Sequence, residues 1–418
     1  MTCKLSELRP FMRDITIQQY DMKCYFCSFD AGIGDCNVIR LLKDDGMQYS
    51  IMVDCGKYTP SIKNYVCDVL HNHIDLLIAT HIDGDHIMGM ITMLRDHEDL
   101  TIDNIWYNSY RRSNVEAHIE LNEQQKRILE EIKKALPTEF DAINYREISA
   151  PQGKTLAKTI LENEALNRVW RMDYITKQTA DFELPNGFGK IVFLGPHQEA
   201  LQIVEDKFKD AFDKYFMQEW NESIKCGEEL QELLVRLIDT LPAHIRMKSI
   251  GATEESVHDA AFVRNKAKNE DADDSDTNYS SIAFMLECNG HRIAMLGDAF
   301  ASTIEKTIER KYRDNAKPIV CDAIKVSHHG SNGNNSKTLY NLLASHHYFI
   351  PGGKGSDYPT WETFGRIVES NRDEQTKLVV FSHTCDMTEQ INALSNDVKA
   401  ELGVETAITE QEYELFEY

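Results

Sequence analysis

The feature that most constrains this chain is a group of histidine and aspartate residues at positions 81–86, directly after an apolar run. The run at 74–79 predicts a buried strand that ends where these polar residues begin. Imidazole and carboxylate groups suit borderline cations such as zinc, iron or manganese, and glycine at position 84 lets the segment fold back. The alternative is a polar loop in which Asp85 only caps a helix. Four possible metal ligands within six positions disfavour that alternative. One cation rarely needs four ligands, so the segment predicts two adjacent cations held by His81, Asp83, Asp85 and His86.

The order of these residues, His-x-Asp-x-Asp-His, resembles the signature of the metallo-β-lactamase superfamily, with aspartate second as in ComEC-type DNA-uptake proteins. Other segments resemble further parts of that family in the same order along the chain. The resemblance runs from about residue 22 to 385 and implies an α/β fold, the metallo-β-lactamase αββα sandwich, here with a helical insertion. The segments concerned are 32–36 and 51–56 for the opening strands, 278–282 and 293–298 for the central strands, and 325–331 for a Lys-Val-x-His-His-Gly-Ser motif.

The resemblance also implies roles for individual residues. Two divalent metal ions, zinc or manganese, are the implied cofactors. Hydrolysis is the implied reaction, because a water between two such ions loses its proton near neutral pH. The implied ligands are His81 and Asp83 for one cation, Asp85, His86 and His328 for the other, and Asp298 as the bridge.

Residues beside these ligands are candidate catalytic or substrate contacts. His329 is expected to face the substrate as a proton donor or phosphate contact, and with Asp85 it forms the candidate catalytic pair. Lys325 is either a buried ion-pair partner or a phosphate contact, and the sequence leaves the two open. Ser331 offers a hydroxyl and a backbone amide to an anionic oxygen. Asn278 and Tyr358 complete the set of candidate substrate contacts. ComEC-like chains commonly carry His-Pro where this chain has Tyr358-Pro359, so the tyrosine is expected to replace a histidine that contacts substrate.

Many members of the superfamily supply a separate histidine to the first metal site, between the signature and the bridging aspartate. The candidates here are His118, inside a predicted helix, and His197, just after a predicted strand. We expect His197 to be the ligand of the two.

The acidic composition limits the class of partner. The formal net charge is -23, whereas a protein that grips long nucleic acid by its backbone normally presents a basic surface. We therefore expect short or single-stranded phosphodiesters, or nucleotides, as substrates. No apolar run approaches the roughly 18 residues of a membrane helix, and the first residues lack a signal-peptide core, so a cytoplasmic protein without membrane contact is expected.

The pattern along the chain predicts one domain, 1–418, that alternates strands and helices. The span 111–136 is predicted to be a helix with a solvated basic face. Residues 199–277 are predicted to be an insertion within the domain, a helical hairpin to about 261 followed by a mobile acidic loop at 266–277. The insertion is a candidate lid, or a contact for a second copy or a protein partner.

Three classes of function remain. The leading hypothesis is a metal-dependent phosphodiesterase, either a nuclease or a hydrolase of a small nucleotide. The second is a hydrolase of a thioester, lactone or amide, which the same metal pair serves. The third is a non-catalytic interaction platform, which is disfavoured because all six principal ligands are present.

Overall fold

A computed structural model of the chain shows a mixed α/β protein in the part that it describes. Several predictions fall outside that part, namely the N-terminal arm at 1–21, the helix at 111–136 with His118, and most of the insertion at 199–277. The described residues are 22–108, 156–171, 173–204, 206, 258–269, 273, 275–353, 358–370 and 375–417.

Two large sheets organise the described chain. The first has six strands in the order β18-β1-β2-β3-β5-β7, and the second has eight in the order β17-β16-β15-β13-β11-β10-β9-β8. Each sheet is antiparallel at one side and parallel at the other. Two short pairs, β4 with β6 and β12 with β14, stand apart. The strands are β1 Met22–Ser28, β2 Asn37–Lys43, β3 Gln48–Val53, β4 His73–Ile74, β5 Leu76–Ala79, β6 Thr101–Ile102, β7 Ile105–Tyr107, β8 Phe182–Glu183, β9 Lys190–Gly195, β10 Ala283–Cys288, β11 His291–Met295, β12 Ile319–Cys321, β13 Ala323–Lys325, β14 Leu343–Ser345, β15 His347–Ile350, β16 Lys377–Phe381, β17 Val404–Ile408 and β18 Tyr413–Glu417.

The helices are short, and no helix in the described ranges is long and apolar enough to cross a membrane. Several begin at a residue whose side chain accepts a hydrogen bond from the first turn, as Thr59, Ser336, Thr360 and Ser395 do. The helices are α1 Pro60–Asp68, α2 Gly84–Asp96, α3 Leu156–Glu162, α4 Glu164–Val169, α5 Ala260–Lys266, α6 Asp276–Tyr279, α7 Ala301–Lys311, α8 Lys337–Leu342, α9 Trp361–Glu369, α10 Asp386–Asn392 and α11 Asn396–Leu402.

Three apolar cores order these elements into layers. The core between the two sheets joins side chains of both, as where the rings of Phe26 in β1 and Phe349 in β15 lie 4.3 Å apart. A second core packs α1 and α2 on the outer face of the first sheet. A third packs α7, α8, α9 and α10 on the outer face of the second sheet. Because many strands are buried on both faces, their sequences are nearly continuous apolar runs.

The structure differs from the predicted elements towards the C-terminal end. The sequence pattern predicts one helix over 386–402, whereas the structure has two, because Ser395 starts α11 by accepting a hydrogen bond from the Val398 amide. Strands β17 and β18 were not predicted. They extend the second sheet beside β16 and the first sheet beside β1.

Candidate metal centre

Polar side chains gather where strands of both sheets end. Asp54 follows β3, the signature residues follow β5, Asp298 follows β11, and the paired histidines 328 and 329 follow β13. Strands β3 and β5 are parallel neighbours in the first sheet, and β11 and β13 in the second. The carboxyl ends of parallel neighbours lie at one edge, which is where open α/β sheets bind ligands. The Ile282 amide donates to the Thr80 carbonyl at 2.9 Å and joins the two sheets there.

The signature is divided between a loop and the first turn of α2. His81 and Asp83 precede the helix, whereas Asp85 and His86 lie inside it. Glycine at position 34 lets this turn sit close to the β1–β2 connection, since a Cβ atom there would lie 2.8 Å from the Asp85 Cα. The backbone around the signature is therefore held by close packing rather than left as an open loop.

Four imidazoles surround one oxygen of Asp298. Its Oδ2 atom lies 3.2 Å from the Nε2 of His86, 3.8 Å from that of His329, 3.9 Å from that of His328 and 4.0 Å from that of His81. Asp298 is 2% exposed, so this carboxylate is shared among rings in a buried space. The arrangement agrees with its predicted place between two cations.

The two signature aspartates lie beside different rings of this centre. The Oδ2 of Asp83 lies 3.4 Å from the His81 Nε2. The Oδ2 of Asp85 lies 3.7 Å from the His86 Nε2 and 3.2 Å from the His329 Nε2. One group of potential ligands is therefore His81, His86 and Asp298, and a second is Asp85, His86 and His329.

All four rings are held through their other nitrogen. The Nδ1 of His86 lies 2.8 Å from an Asp54 oxygen, that of His81 lies 3.0 Å from the Thr80 hydroxyl, and that of His328 lies 2.8 Å from the Asn334 Oδ1. The Nδ1 of His329 donates to the Pro351 carbonyl at 3.1 Å and lies 2.9 Å from an Asp35 oxygen. Metal-binding histidines are held in this way, because a partner on one nitrogen fixes the ring and the tautomer of the other.

Several buried atoms of the same residues are left without a hydrogen bond. Within the described chain, the Nε2 atoms of His81 and His86 and the Oδ1 atoms of Asp83 and Asp298 make none. Such orphaned polar groups are rare in folded proteins and call for an ion or a water as partner. The donor set of nitrogen and carboxylate oxygen is that of zinc or manganese. The residues present therefore fit two divalent cations.

The paired histidines are arranged differently from the sequence prediction. His329, predicted to face the substrate, is buried and lies beside Asp85, whereas His328, predicted to be the ligand, is farther out with a side chain 19% exposed. The His328 Nδ1 lies 2.8 Å from the Asn334 Oδ1. The Asn334 amide nitrogen donates elsewhere, to Asp273 and to the Asp298 carbonyl, so its oxygen is the acceptor and His328 carries hydrogen on Nδ1.

A left-handed turn causes this arrangement. His328, His329 and Gly330 have φ of 45°, 50° and 80° in succession. Such conformations cost free energy for residues other than glycine and are concentrated at functional sites. Gly352 (φ 72°) gives the His329 ring its space, since a Cβ atom at that position would lie 2.8 Å from the ring Cε1 and nearer still to Nδ1.

The charges of the centre depend on one another. Burial alone would raise the pKa of Asp298, but His86 and His329 hold it well below its usual value. Burial alone would lower the pKa of His329, but Asp35 and Asp298 raise it to about 10. Without bound cations the centre is thus a cluster of carboxylates neutralised by imidazolium groups, and divalent cations would replace those protons.

The loop predicted to be mobile and acidic contributes to the site. An Asp273 oxygen accepts hydrogen bonds from the side-chain amides of Asn278 and Asn334, at 2.8 and 2.7 Å, and lies 3.6 Å from the His328 Nδ1. The Thr277 hydroxyl donates to Asp83 at 3.0 Å. Asn278, predicted to bind substrate, is 3% exposed and orients Asp273 instead.

Other predicted substrate contacts are also occupied by the protein itself. Lys325 is 1% exposed, forms an ion pair with Asp35 and donates to the Gly297 carbonyl, which resolves its two predicted roles in favour of the ion pair. The Ser331 hydroxyl is buried and donates to Asn334 at 2.5 Å. Tyr358 remains beside the site, with its ring edge-on to His328 at 5.1 Å.

His197, the preferred extra ligand, is not brought to the metal groups. Its Nε2 lies 2.6 Å from the Lys177 Nζ, and its ring packs 6.1 Å from that of Tyr279. A lysine ammonium beside the ring nitrogen occupies the position that a cation would need. A cation held by His81 and Asp83 would therefore have Asp298 as its further protein ligand in the described chain.

Sequence reasoning missed the residues that hold the ligands. Asp35 and Asp54 lie in segments noted for their strands, yet nothing nearby in sequence shows that they face His329 and His86. The available signal was a carboxylate directly flanking an otherwise apolar strand, as Asp54 flanks β3. Asp273 could not be singled out because it stands among several acidic residues, and its partners Asn334 and His328 are distant in sequence.

A comparison with protein-family models and with curated protein sequences finds no match to this chain.

Proposed function

We propose that this protein is a metal-dependent phosphodiesterase with a dinuclear centre, built on the helix–sheet–sheet–helix sandwich of the metallo-β-lactamase superfamily. The observation that carries the proposal is the convergence of four histidine nitrogens on the Asp298 carboxylate, with Asp83 beside His81 and Asp85 beside His329. The two face-to-face sheets with helices on both outer faces support the fold assignment. The motifs at 81–86 and 325–331 support the family resemblance.

The geometry supports a modified set of ligands. One cation would be held by His81 and Asp83, and the other by Asp85, His86 and His329, with Asp298 shared. His329 replaces His328 in this assignment because its Nε2 lies beside Asp85 while its Nδ1 is fixed by Asp35.

When bound, two divalent cations supply positive charge to phosphate oxygens and acidify a water for attack. The residues of the chain prepare that chemistry. Asp54 and Asp35 keep the His86 and His329 rings aimed at the centre, and burial excludes bulk water from them. His328 keeps hydrogen on Nδ1 for Asn334 and presents Nε2 towards the Asp298 side, where a substrate oxygen would approach.

A phosphodiester is the favoured substrate class because its negative charge would be neutralised by two bound cations. In a protein of formal net charge -23, such a metal centre would be a local region of positive charge. The acidic surface repels an extended polyanion over about 8 to 10 Å at physiological ionic strength. Short or single-stranded phosphodiesters are therefore proposed over long duplex DNA.

The test combines metal content with a substrate screen. Protein purified without chelator should contain close to two divalent ions per chain, and the Asp298→Ala variant should lose most of both. The manganese- or zinc-loaded protein should hydrolyse bis(p-nitrophenyl) phosphate and short single-stranded DNA or RNA faster than plasmid duplex. Full metal occupancy in Asp298→Ala would refute the site. Hydrolysis of a thioester, lactone or amide without any phosphodiester cleavage would refute the reaction class.

A further inference from the structure

A cluster of positive side chains lies near the metal centre and is not used by it. Lys177, which is 8% exposed, places its Nζ 2.6 Å from the His197 Nε2. Lys306 and Arg310 are exposed on α7, four residues apart and therefore on one face of the helix. The Arg310 Nη2 donates to the Lys177 carbonyl at 3.4 Å, which brings this helix against Lys177. Burial lowers the pKa of Lys177, and the charges of Arg310 and Lys306 lower it further. This group is called the Lys177 cluster below.

The Lys177 cluster lacks matching negative charge in the described chain. Glu199 is the carboxylate whose charge acts on both Lys177 and His197. This one negative charge stands against three positive ones, those of Lys177, Lys306 and Arg310. Like charges four residues apart on a helix are destabilising. A buried lysine normally has a carboxylate partner, as Lys325 has in Asp35. In a protein of formal net charge -23, such a concentration of unmatched cations indicates an anionic ligand.

The cluster is connected to the metal centre by short steps. The His197 ring packs on Tyr279, whose neighbour Asn278 lies 3.3 Å from the His328 Nδ1. Tyr279 in turn stacks on Phe300 at 5.0 Å, directly before the start of α7. At 1.5 Å per residue, Lys306 lies about 8 Å and Arg310 about 14 Å along α7 from that start. A short oligonucleotide bound at the centre is long enough to reach the cluster with another of its phosphates.

We propose that Lys177, His197, Lys306 and Arg310 form a second phosphate-binding site, which takes a non-reacting phosphate of the substrate beside the metal centre. The inference rests on the proposed phosphodiesterase function and narrows its substrate class. The preferred substrate carries at least two phosphates, as in a short oligonucleotide, rather than a single phosphodiester such as a cyclic mononucleotide. The four residues position the substrate and take no part in bond breaking.

The experiment removes the exposed charges, which do not support the core. The double variant Lys306→Gln with Arg310→Gln should raise KM for a single-stranded trinucleotide about tenfold, with kcat nearly unchanged. Its KM for bis(p-nitrophenyl) phosphate, which has one phosphate, should not change. Since each phosphate neutralised on a single strand contributes about 0.7 to the salt slope of log K, loss of this one phosphate should reduce the slope by about 0.7.

Matched controls separate this site from a general loss of charge. Lys63→Gln with Arg313→Gln removes the same charge from exposed positions elsewhere, and should leave both KM values as in the wild type. Lys306→Arg with Arg310→Lys keeps the charges and should retain trinucleotide affinity. Equal KM increases in the control and test doubles, or an equal increase for the one-phosphate substrate, would overturn the proposal.

A binding measurement keeps the two proposals distinguishable. Fluorescence anisotropy of a labelled trinucleotide with the full-length protein as purified needs no turnover. If no phosphodiester is hydrolysed but the trinucleotide still binds, and binds about tenfold more weakly to the test double alone, the proposed reaction fails and the phosphate site stands. If turnover is present and the test double binds like the wild type, the phosphate site is refuted.

Discussion

Replacing Gly352 by alanine adds one methyl group behind the His329 ring, and the consequence follows from geometry. The new Cβ would lie 2.8 Å from the ring Cε1, about 0.7 Å closer than the roughly 3.5 Å of a favourable carbon contact. The ring cannot simply rotate away, because Asp35 holds its Nδ1 at 2.9 Å and Asp85 lies beside its Nε2. Functional groups need placement within about 0.5 Å, so the second metal position should be distorted.

Gly403→Ala is the matched control for this substitution. Gly403 has φ 64°, close to the 72° of Gly352, but a Cβ there would meet nothing within 4 Å. Both variants should therefore lose about 1 to 2 kcal/mol of folding stability through the left-handed backbone alone. Only Gly352→Ala should also weaken metal binding, by roughly 10- to 100-fold at the second position, as disturbed supporting contacts do.

The assay is a competition titration of zinc against a chelating fluorophore, paired with thermal melts of both metal-free variants. Equal metal affinity in the two alanine variants would refute the assignment of His329 as a ligand. A much larger stability loss in Gly352→Ala with unchanged metal affinity would show that the ring packs as a structural residue only.

Three further predictions follow from the same contacts. Asp54→Asn should lower metal affinity about 10- to 100-fold in the same chelator titration, because it releases the His86 ring. The control Asp75→Asn removes a carboxylate that bonds Ser50 on the same sheet, and should lower folding stability without changing metal affinity. His329→Ala should lose metal and activity together, while His328→Ala should keep close to two ions and lose turnover; the opposite pattern by elemental analysis and initial rates would exchange their roles. Burial would raise the pKa of Glu287, but hydrogen bonds from Tyr312, Arg292 and Lys190 lower it below its usual value. Its contribution to stability is therefore present above the unfolded pKa and is lost as pH falls through the folded pKa. Glu287→Gln should melt at a lower temperature than the wild type at pH 7, and its melting temperature should fall less steeply in acid.

The signature and the alternation of elements were predictable because both are local. The apolar run before His81 and the hairpin turn at 289–290 are read from neighbouring residues, and β5, β10 and β11 lie where expected. The same holds for the candidate centre, since each ligand stands just after a strand. The roles of His328 and His329 were not predictable, because they depend on a left-handed turn at these residues. They also depend on Gly352, in another loop, which leaves room for the His329 ring.

Partners within the protein account for the remaining differences. Lys325, Ser331 and Asn278 look like substrate contacts in sequence because they are polar and stand next to the motifs. Lys325 pairs with Asp35, which is distant in sequence, whereas Ser331 and Asn278 bond Asn334 and Asp273, which are three and five positions away. The sequence alone does not show that these polar groups bond one another rather than a substrate. His197 differs for the same reason, since Lys177 takes the position beside its ring.

The division of the ligands between the two sheets has a consequence for unfolding. His81, Asp83, Asp85 and His86 extend from the first sheet, whereas Asp298 and His329 extend from the second. Bound cations would thus act as a reversible cross-link at one edge of the sandwich, closing a long loop of chain. Melting temperature should then rise with the logarithm of free metal concentration. After chelation, amide hydrogen exchange should accelerate first at the strand ends beside Thr80 and Ile282, while the centre of the shared core stays protected.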